Sequence, residues 1–247
     1  MSKNYKILKV RDSTDDNHIE HFPFSLPAKI LINGKSQLSG KSTVILNLLL
    51  NPQFGYDKLF EPEHIHVVSN NQLDNKLKIL MDKLDIPDEN HMIFNESELE
   101  MLYEEIEDDF KESILEGTKP SHHLIVIDDV AYSGGLSNYS KENIIDRLVC
   151  QGRHPLISTI FTSQKYSQTS TCLRTNITGA ILFGTNMKEL DLISDDMSYF
   201  AKKSDFVKMF KKITAKPRSF LVVNYSKLPQ LYYNSSFSPI EWNNDSN

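Results

Sequence analysis

Residues 30–43 read Ile30-Leu31-Ile32-Asn33-Gly34-Lys35-Ser36-Gln37-Leu38-Ser39-Gly40-Lys41-Ser42-Thr43, an apolar run, a small polar loop and the start of a second apolar stretch. The first run suits a buried strand. The second continues to Leu50, is stopped by Pro52, and suits a helix. A strand, a glycine-bearing loop and a helix in that order form a phosphate-binding loop. Gly40 lets the backbone pass close to an anion, and the free N–H groups at the helix start face it with the positive end of the helix dipole. On this reading Gly34, Ser36, Ser39, Gly40, Lys41, Ser42 and Thr43 form the nucleotide cradle. Lys41 reaches the β- and γ-phosphates, Ser42 ligates Mg²⁺ and Thr43 bonds the α-phosphate. The usual spacing has four residues between the two glycines, whereas Lys35 to Ser39 are five. Either Lys35 takes the first-glycine position or the loop is one residue longer.

Outward from this loop, short apolar runs recur at 29–32, 65–68, 92–94, 124–127, 157–161, 180–183 and 220–223. Several are continuously apolar and rich in Ile and Val, as expected of strands covered on both faces. Helical stretches separate them. Ser97 with Glu100 reads as a capping box, and Leu99, Leu102, Tyr103, Ile106, Phe110 and Ile114 then follow helical spacing up to Gly117. The pattern predicts an α/β fold with a mostly parallel central sheet flanked by helices, binding its ligand beyond the carboxyl ends of the strands. The expected division is an N-terminal extension over 1–27, a P-loop domain over 28–225 and a C-terminal tail over 226–247. The tail has little core potential beyond Phe237, Ile240 and Trp242, and is expected on a neighbour or mobile.

The run His123-Leu124-Ile125-Val126-Ile127-Asp128-Asp129 ends a buried strand in two carboxylates, the second half of a P-loop site. Asp128 is the candidate Mg²⁺ partner, with Ser42, and Asp129 the candidate for polarising the attacking water. Ser133-Gly134-Gly135 follows as an expected turn. Downstream, Gly152-Arg153-His154-Pro155 precedes a strand ending Thr162-Ser163-Gln164, then Leu173-Arg174-Thr175-Asn176. Gln164 suits a γ-phosphate sensor, and Arg153 can be donated to a neighbouring subunit's nucleotide.

This ordered set resembles the FtsK/HerA superfamily of DNA-pumping ATPases, and most of all the compact genome-packaging ATPases of poxviruses, other large DNA viruses and virophages. The resemblance implies a RecA-like core and Mg²⁺-ATP hydrolysis. It further implies a homo-oligomeric ring, commonly a hexamer, with double-stranded DNA threaded through it. By position, Lys41 and Ser42 match Walker A, Asp128 and Asp129 match Walker B, Gln164 the sensor and Arg153 the trans-acting arginine, with Arg174 in reserve. A viral packaging motor has capsid proteins as further partners and works in the host-cell cytoplasm, a viral factory or the virion. Two other readings of the motifs stand beside it: a P-loop kinase acting on a small molecule, and a nucleotide-binding capsid or scaffold protein that does not hydrolyse.

Composition narrows these choices less than its totals suggest. The 247 residues are 39% apolar and 24% charged, an ordinary globular balance. The first sixteen residues have no apolar leader region and no run is long enough to span a bilayer, so a soluble chain is expected. The net charge of −6 argues against a nucleic-acid partner only on average. Residues 98–116 carry nine acidic groups and one Lys, net −8, and residues 201–218 carry six Lys, one Arg and one Asp, net +6. The basic segment is either a DNA-tracking stripe or a solvated helix whose buried side is Phe206, Met209 and Phe210. The two cysteines, Cys150 and Cys172, lack zinc-site spacing and read as small core residues in a reducing compartment. His122, His123 and His154 are expected near the active edge, without a metal-ligand spacing.

Overall fold

The computed structural model describes residues 17–35, 39–70, 74–129 and 143–242. Its centre is a single sheet of eight strands: β1 (Lys29–Asn33), β2 (Ile65–Ser69), β3 (His91–Ile93), β4 (His123–Asp128), β5 (Ile157–Ser163), β6 (Gly179–Phe183), β7 (Phe220–Asn224) and β8 (Tyr232–Tyr233). In space they run β3-β2-β4-β5-β1-β6-β7-β8. The first six are mutually parallel, while β7 and β8 add antiparallel. Six of the seven apolar runs are strands buried on both faces, whereas edge strand β3 is half-buried, with Ile93 exposed. In β1, Ile30 and Ile32 enter one hydrophobic core and Leu31 the other.

Helices α1 (Lys41–Leu50) and α2 (Asn75–Leu84) cover one face, together with Phe24, Leu26 and Ala28. The other face is covered by α3 (Glu96–Glu116), α4 (Ile144–Gln151), α5 (Thr171–Asn176), α6 (Met187–Met197) and α7 (Lys203–Ile213). The parallel register brings the carboxyl ends of β1, β2, β4, β5 and β6 to one edge of the sheet. The start of β7 joins them, because that strand runs the other way.

Several expectations are corrected. Helix α3 is capped by Asn95, whose side chain accepts from the N–H groups of Ser97 and Glu98, so Ser97 lies inside the helix. Its buried stripe is Leu99, Leu102, Tyr103 and Ile106; Ile114 is about half exposed because the last turns run past the core. Arg147 of α4 holds this helix, sitting 4.2 Å over the Tyr103 ring and pairing with Glu100 at 3.3 Å. Cys150 is exposed and Cys172 half-buried, so neither is a core residue. Their sulfurs lie 2.9 Å apart, where α4 meets α5. His122 and His123 lie at the amino-terminal edge of the sheet, a strand length from the carboxyl edge, and His154 precedes β5 at that same end. Among the described residues no group of His, Cys, Asp and Glu is arranged to hold a metal ion. Phe237, Ile240 and Trp242 pack against the cores of this same chain. Ser36 and the 133–135 turn lie outside the described residues.

Candidate nucleotide site

The site is built where β1 gives way to α1. Gly34 follows the strand and its N–H donates to Ser163 O (3.0 Å). A side chain at Gly34 would lie 2.7 Å from the Ser39 Cβ and 2.8 Å from the Phe183 ring, so Gly34 is the residue of close approach, and it is Gly34 rather than Lys35 that must stay bare. Gly40 caps α1 with φ of 90°, a left-handed conformation that glycine adopts without strain. Helix α1 has no side-chain cap and no acidic residue in its first turn, so its start is suited to receive an anion. Lys41 is buried, and its ammonium donates to Gly34 O at 2.9 Å. Burial pulls the Lys41 pKa down from the ordinary lysine value, and the nearby Asp129 and Asp128 carboxylates oppose that shift.

On the other side of the loop, β4 ends in Asp128 and Asp129. Asp128 is buried, and desolvation raises its pKa against the hydrogen bond from Thr162. The Thr162 hydroxyl joins the two acidic residues: it donates to Asp128 Oδ1 (2.7 Å) and accepts from the Asp129 N–H (2.9 Å). Asp129 has φ of 53°, rare for a residue with a side chain, and its carboxylate accepts from Gln164 Nε2 at 2.8 Å. Asn70, just past β2, donates to Asp129 O (3.0 Å), and the Lys76 ammonium donates to Thr43 Oγ1 (3.0 Å). Ser39, Gly40, Lys41, Ser42, Asp128 and Asp129 thus line one cavity of about 300 Å³.

The residues present fit a Mg²⁺ ion. The Ser42 hydroxyl and the Asp128 carboxylate are hard oxygen donors lining that cavity, and Asp128 is a buried carboxylate with no cation paired to it in the described contacts. Thr162, Asn70 and Lys76 were not singled out in the sequence. Thr162 stood in the quoted Thr-Ser-Gln tip, and Ser69-Asn70 closes another apolar run, so the rule that parallel strands deliver ligands at their carboxyl ends would have flagged both.

Two predicted residues are not gathered here. Arg153 is exposed in the turn before β5, and seven residues of strand, roughly 23 Å, separate it from Gln164 at the far end. Arg174 pairs with Asp196 of α6 (2.7 Å) and lies 5.4 Å over the Tyr166 ring, which commits it to this chain's own packing.

The profile of the poxvirus A32 protein family matches residues 23–232. The chain belongs to that family. This A32-family protein is a P-loop ATPase, of a family of viral genome-packaging ATPases. No curated protein sequence matches it. Among solved structures it is similar to the genome packaging NTPase B204 from Sulfolobus turreted icosahedral virus 2 in complex with ATP-gammaS. The TM-score is 0.55 at 18% identity, over 84% of this chain and 96% of that one. A second B204, the DNA-packaging ATPase from Sulfolobus Turreted Icosahedral Virus, gives 0.55 at 19% identity over 87% and 99%. ATPases 2 and 3 of EssC from Geobacillus thermodenitrificans give 0.56 at 16% identity over 80% of this chain and 38% of theirs. At these identities the likeness is one of fold: a mostly parallel sheet flanked by helices. Among the described residues no helix is long and apolar enough to cross a membrane.

Proposed function

We propose that this A32-family ATPase is a double-stranded-DNA translocase that packages a viral genome into a preformed capsid, hydrolysing Mg²⁺-ATP at the subunit boundaries of a homo-oligomeric ring, a hexamer. The observation that carries the reading is the split of its groups between two edges. Lys41, Ser42, Asp128, Asp129 and Gln164 share one edge, while Arg153 stands exposed at the other, a strand length away. An arginine so placed is out of reach of its own chain's nucleotide, which supports giving it to another subunit's.

Within the site each group has a distinct part. Lys41 leaves Gly34 O to neutralise the β- and γ-phosphates. Asp129 accepts a proton from the attacking water, oriented by the Gln164 amide that already holds its carboxylate. Ser42 and Asp128 hold Mg²⁺, which when bound offsets charge on the phosphate oxygens. Thr162 keeps both aspartates in place.

The DNA-contacting set is smaller than the basic segment suggested. Lys203 is paired with Asp191 and Asp195 (2.7 and 2.5 Å), and Lys212 lies 5.5 Å over Trp242. Lys202, Lys208, Lys211 and Lys216 are exposed and remain for phosphate contact, repeated around the ring. The partners are then double-stranded DNA, further copies of this chain and the capsid, and the working place is the host cytoplasm or a viral factory.

The test is ATP turnover with and without double-stranded DNA, together with the mass of the assembly. Lys41→Ala and Asp129→Asn should each abolish DNA-dependent turnover. Mixing Lys41→Ala with Arg153→Ala subunits should recover part of it, since each supplies what the other lacks across a boundary. Retained turnover in Asp129→Asn, or no recovery on mixing, would sink the corresponding assignment.

A further inference from the structure

Beside the phosphate cavity, on the side of α1 away from Asp128 and Asp129, lies a second cavity of about 430 Å³. Its walls are aromatic. Phe183 comes from the end of β6, Phe220 from the start of β7, Phe54 from the segment after α1 and Phe237 from the C-terminal segment, with Arg218 at the rim. The rings contact one another edge to face. Phe54 and Phe237 have centroids 4.9 Å apart, Phe183 and Phe220 5.3 Å, and Phe220 and Phe237 5.9 Å. Ser39 and Gly40 line both cavities, so the two adjoin at the start of α1, one lined by Lys41, Ser42, Asp128 and Asp129 and the other by aromatic rings.

We infer that this aromatic cavity receives the nucleobase of the bound nucleotide, with Phe237 and Arg218 as its selectivity-determining walls. The inference rests on the reading of residues 34–43 as the phosphate cradle and extends it to the other end of the ligand. Three observations support it independently of the loop motif. The volume lies in the range of small-ligand sites. The lining offers ring edges and a planar cation, the groups that hold a flat heteroaromatic ring. Arg218 (φ 63°) and Phe237 (φ 56°) both occupy the left-handed region, unusual for residues with side chains, and both line this one cavity although nineteen positions apart in sequence. Such conformations persist where the surroundings fix them, and they cluster at ligand sites.

The assignment changes the role of two segments. Arg218, counted in the basic stripe by charge alone, belongs to the nucleotide groove, because antiparallel β7 begins at the phosphate edge. The C-terminal segment becomes part of the ATP site of its own chain rather than a cover for a neighbour.

The experiment is calorimetric binding of ATP and of inorganic tripolyphosphate, which lacks base and ribose, to the full chain, to Phe237→Ala and to Arg218→Gly. The second variant suits the left-handed backbone at 218, so it keeps the fold even where Phe237→Ala does not. Lost base stacking should weaken ATP about 10-fold in each variant while tripolyphosphate binding stays as in the wild type. Wild-type affinity for ATP in Arg218→Gly and Phe237→Ala, or a wild type that binds tripolyphosphate as tightly as ATP, overturns the inference. Lys41→Ala separates this failure from that of the underlying reading: if it binds both ligands like the wild type, the phosphate cradle itself is misassigned.

Discussion

Acidification should unfold this protein through its buried imidazoles. His66 and His123 stack 6.0 Å apart at the amino-terminal edge of the sheet, with His64 4.5 Å from His123 on the other side. His66 Nε2 and His123 Nδ1 are buried without a hydrogen-bond partner. Burial, with the neighbouring imidazoles, lowers their pKa values to about 4 and about 3, from 6.5 in the unfolded chain. Between these values the unfolded chain binds more protons than the folded one. The stabilising contribution is therefore complete above pH 6.5 and is lost as pH falls toward the folded values. Moving from pH 7 to about pH 5 crosses some 1.5 units of that window, or about 2 kcal/mol per ring at 1.36 kcal/mol per unit. Two rings give about 4 kcal/mol, a large part of the 5–15 kcal/mol typical of a folded protein. His122, also lowered by burial, acts in the same direction. Asp128, whose pKa is raised, acts in the opposite one, so Asp128→Asn is the background in which the effect is cleanest. The assay is urea unfolding followed by far-UV circular dichroism at pH 7, 6 and 5. His123→Phe, which keeps a ring but cannot titrate, should remove about half of the fall. Equal stability at pH 7 and 5, or an undiminished fall in the His66→Phe, His123→Phe double variant, would refute the reasoning.

Three further outcomes are expected. Thr162→Val removes a hydroxyl that bonds both aspartates and should cost about 10- to 100-fold in kcat, the equivalent of one or two charge-assisted hydrogen bonds, with nucleotide affinity little changed; steady-state kinetics check this. Gly34→Ala puts a methyl group against Ser39 and the buried Phe183 ring and should abolish ATP binding and also lower the melting temperature, as read by calorimetry and circular dichroism. Oxidised glutathione should convert Cys150 and Cys172 into an intramolecular disulfide, two thiols giving up their hydrogens as the glutathione disulfide is reduced to two thiols. Mass spectrometry should find the chain lighter by about 2 Da with no glutathione attached, and Cys150→Ser should carry a mixed disulfide instead.

The strands were legible because a sheet covered on both faces demands unbroken apolar runs, and the phosphate loop because a bare glycine and a lysine at a helix start have few other uses. The histidines were misplaced for a directional reason. His123 and Asp128 share β4, but a strand has two ends, and only the parallel order of the sheet says which of them meets the loop. Arg218 was illegible for the related reason that β7 reverses direction, which no local pattern announces. The cysteine pair depended on how α4 packs on α5, a contact between segments 22 residues apart with no signature in either. The short α5 has too few residues to show a period at all.

Strand β5 lies between β1 and β4, hydrogen-bonded to the phosphate-loop strand on one side and to the acidic strand on the other. One of its ends carries Gln164, hydrogen-bonded to the Asp129 carboxylate; the other carries the turn with Arg153. A seven-residue strand hydrogen-bonded on both sides is a short, stiff connection between its two tips. In an assembly with Arg153 set in the next subunit's site, the cleavage of one γ-phosphate would be felt next door as a movement of guanidinium, with no hinge between. The order in which subunits fire would then be written into the length of a single strand.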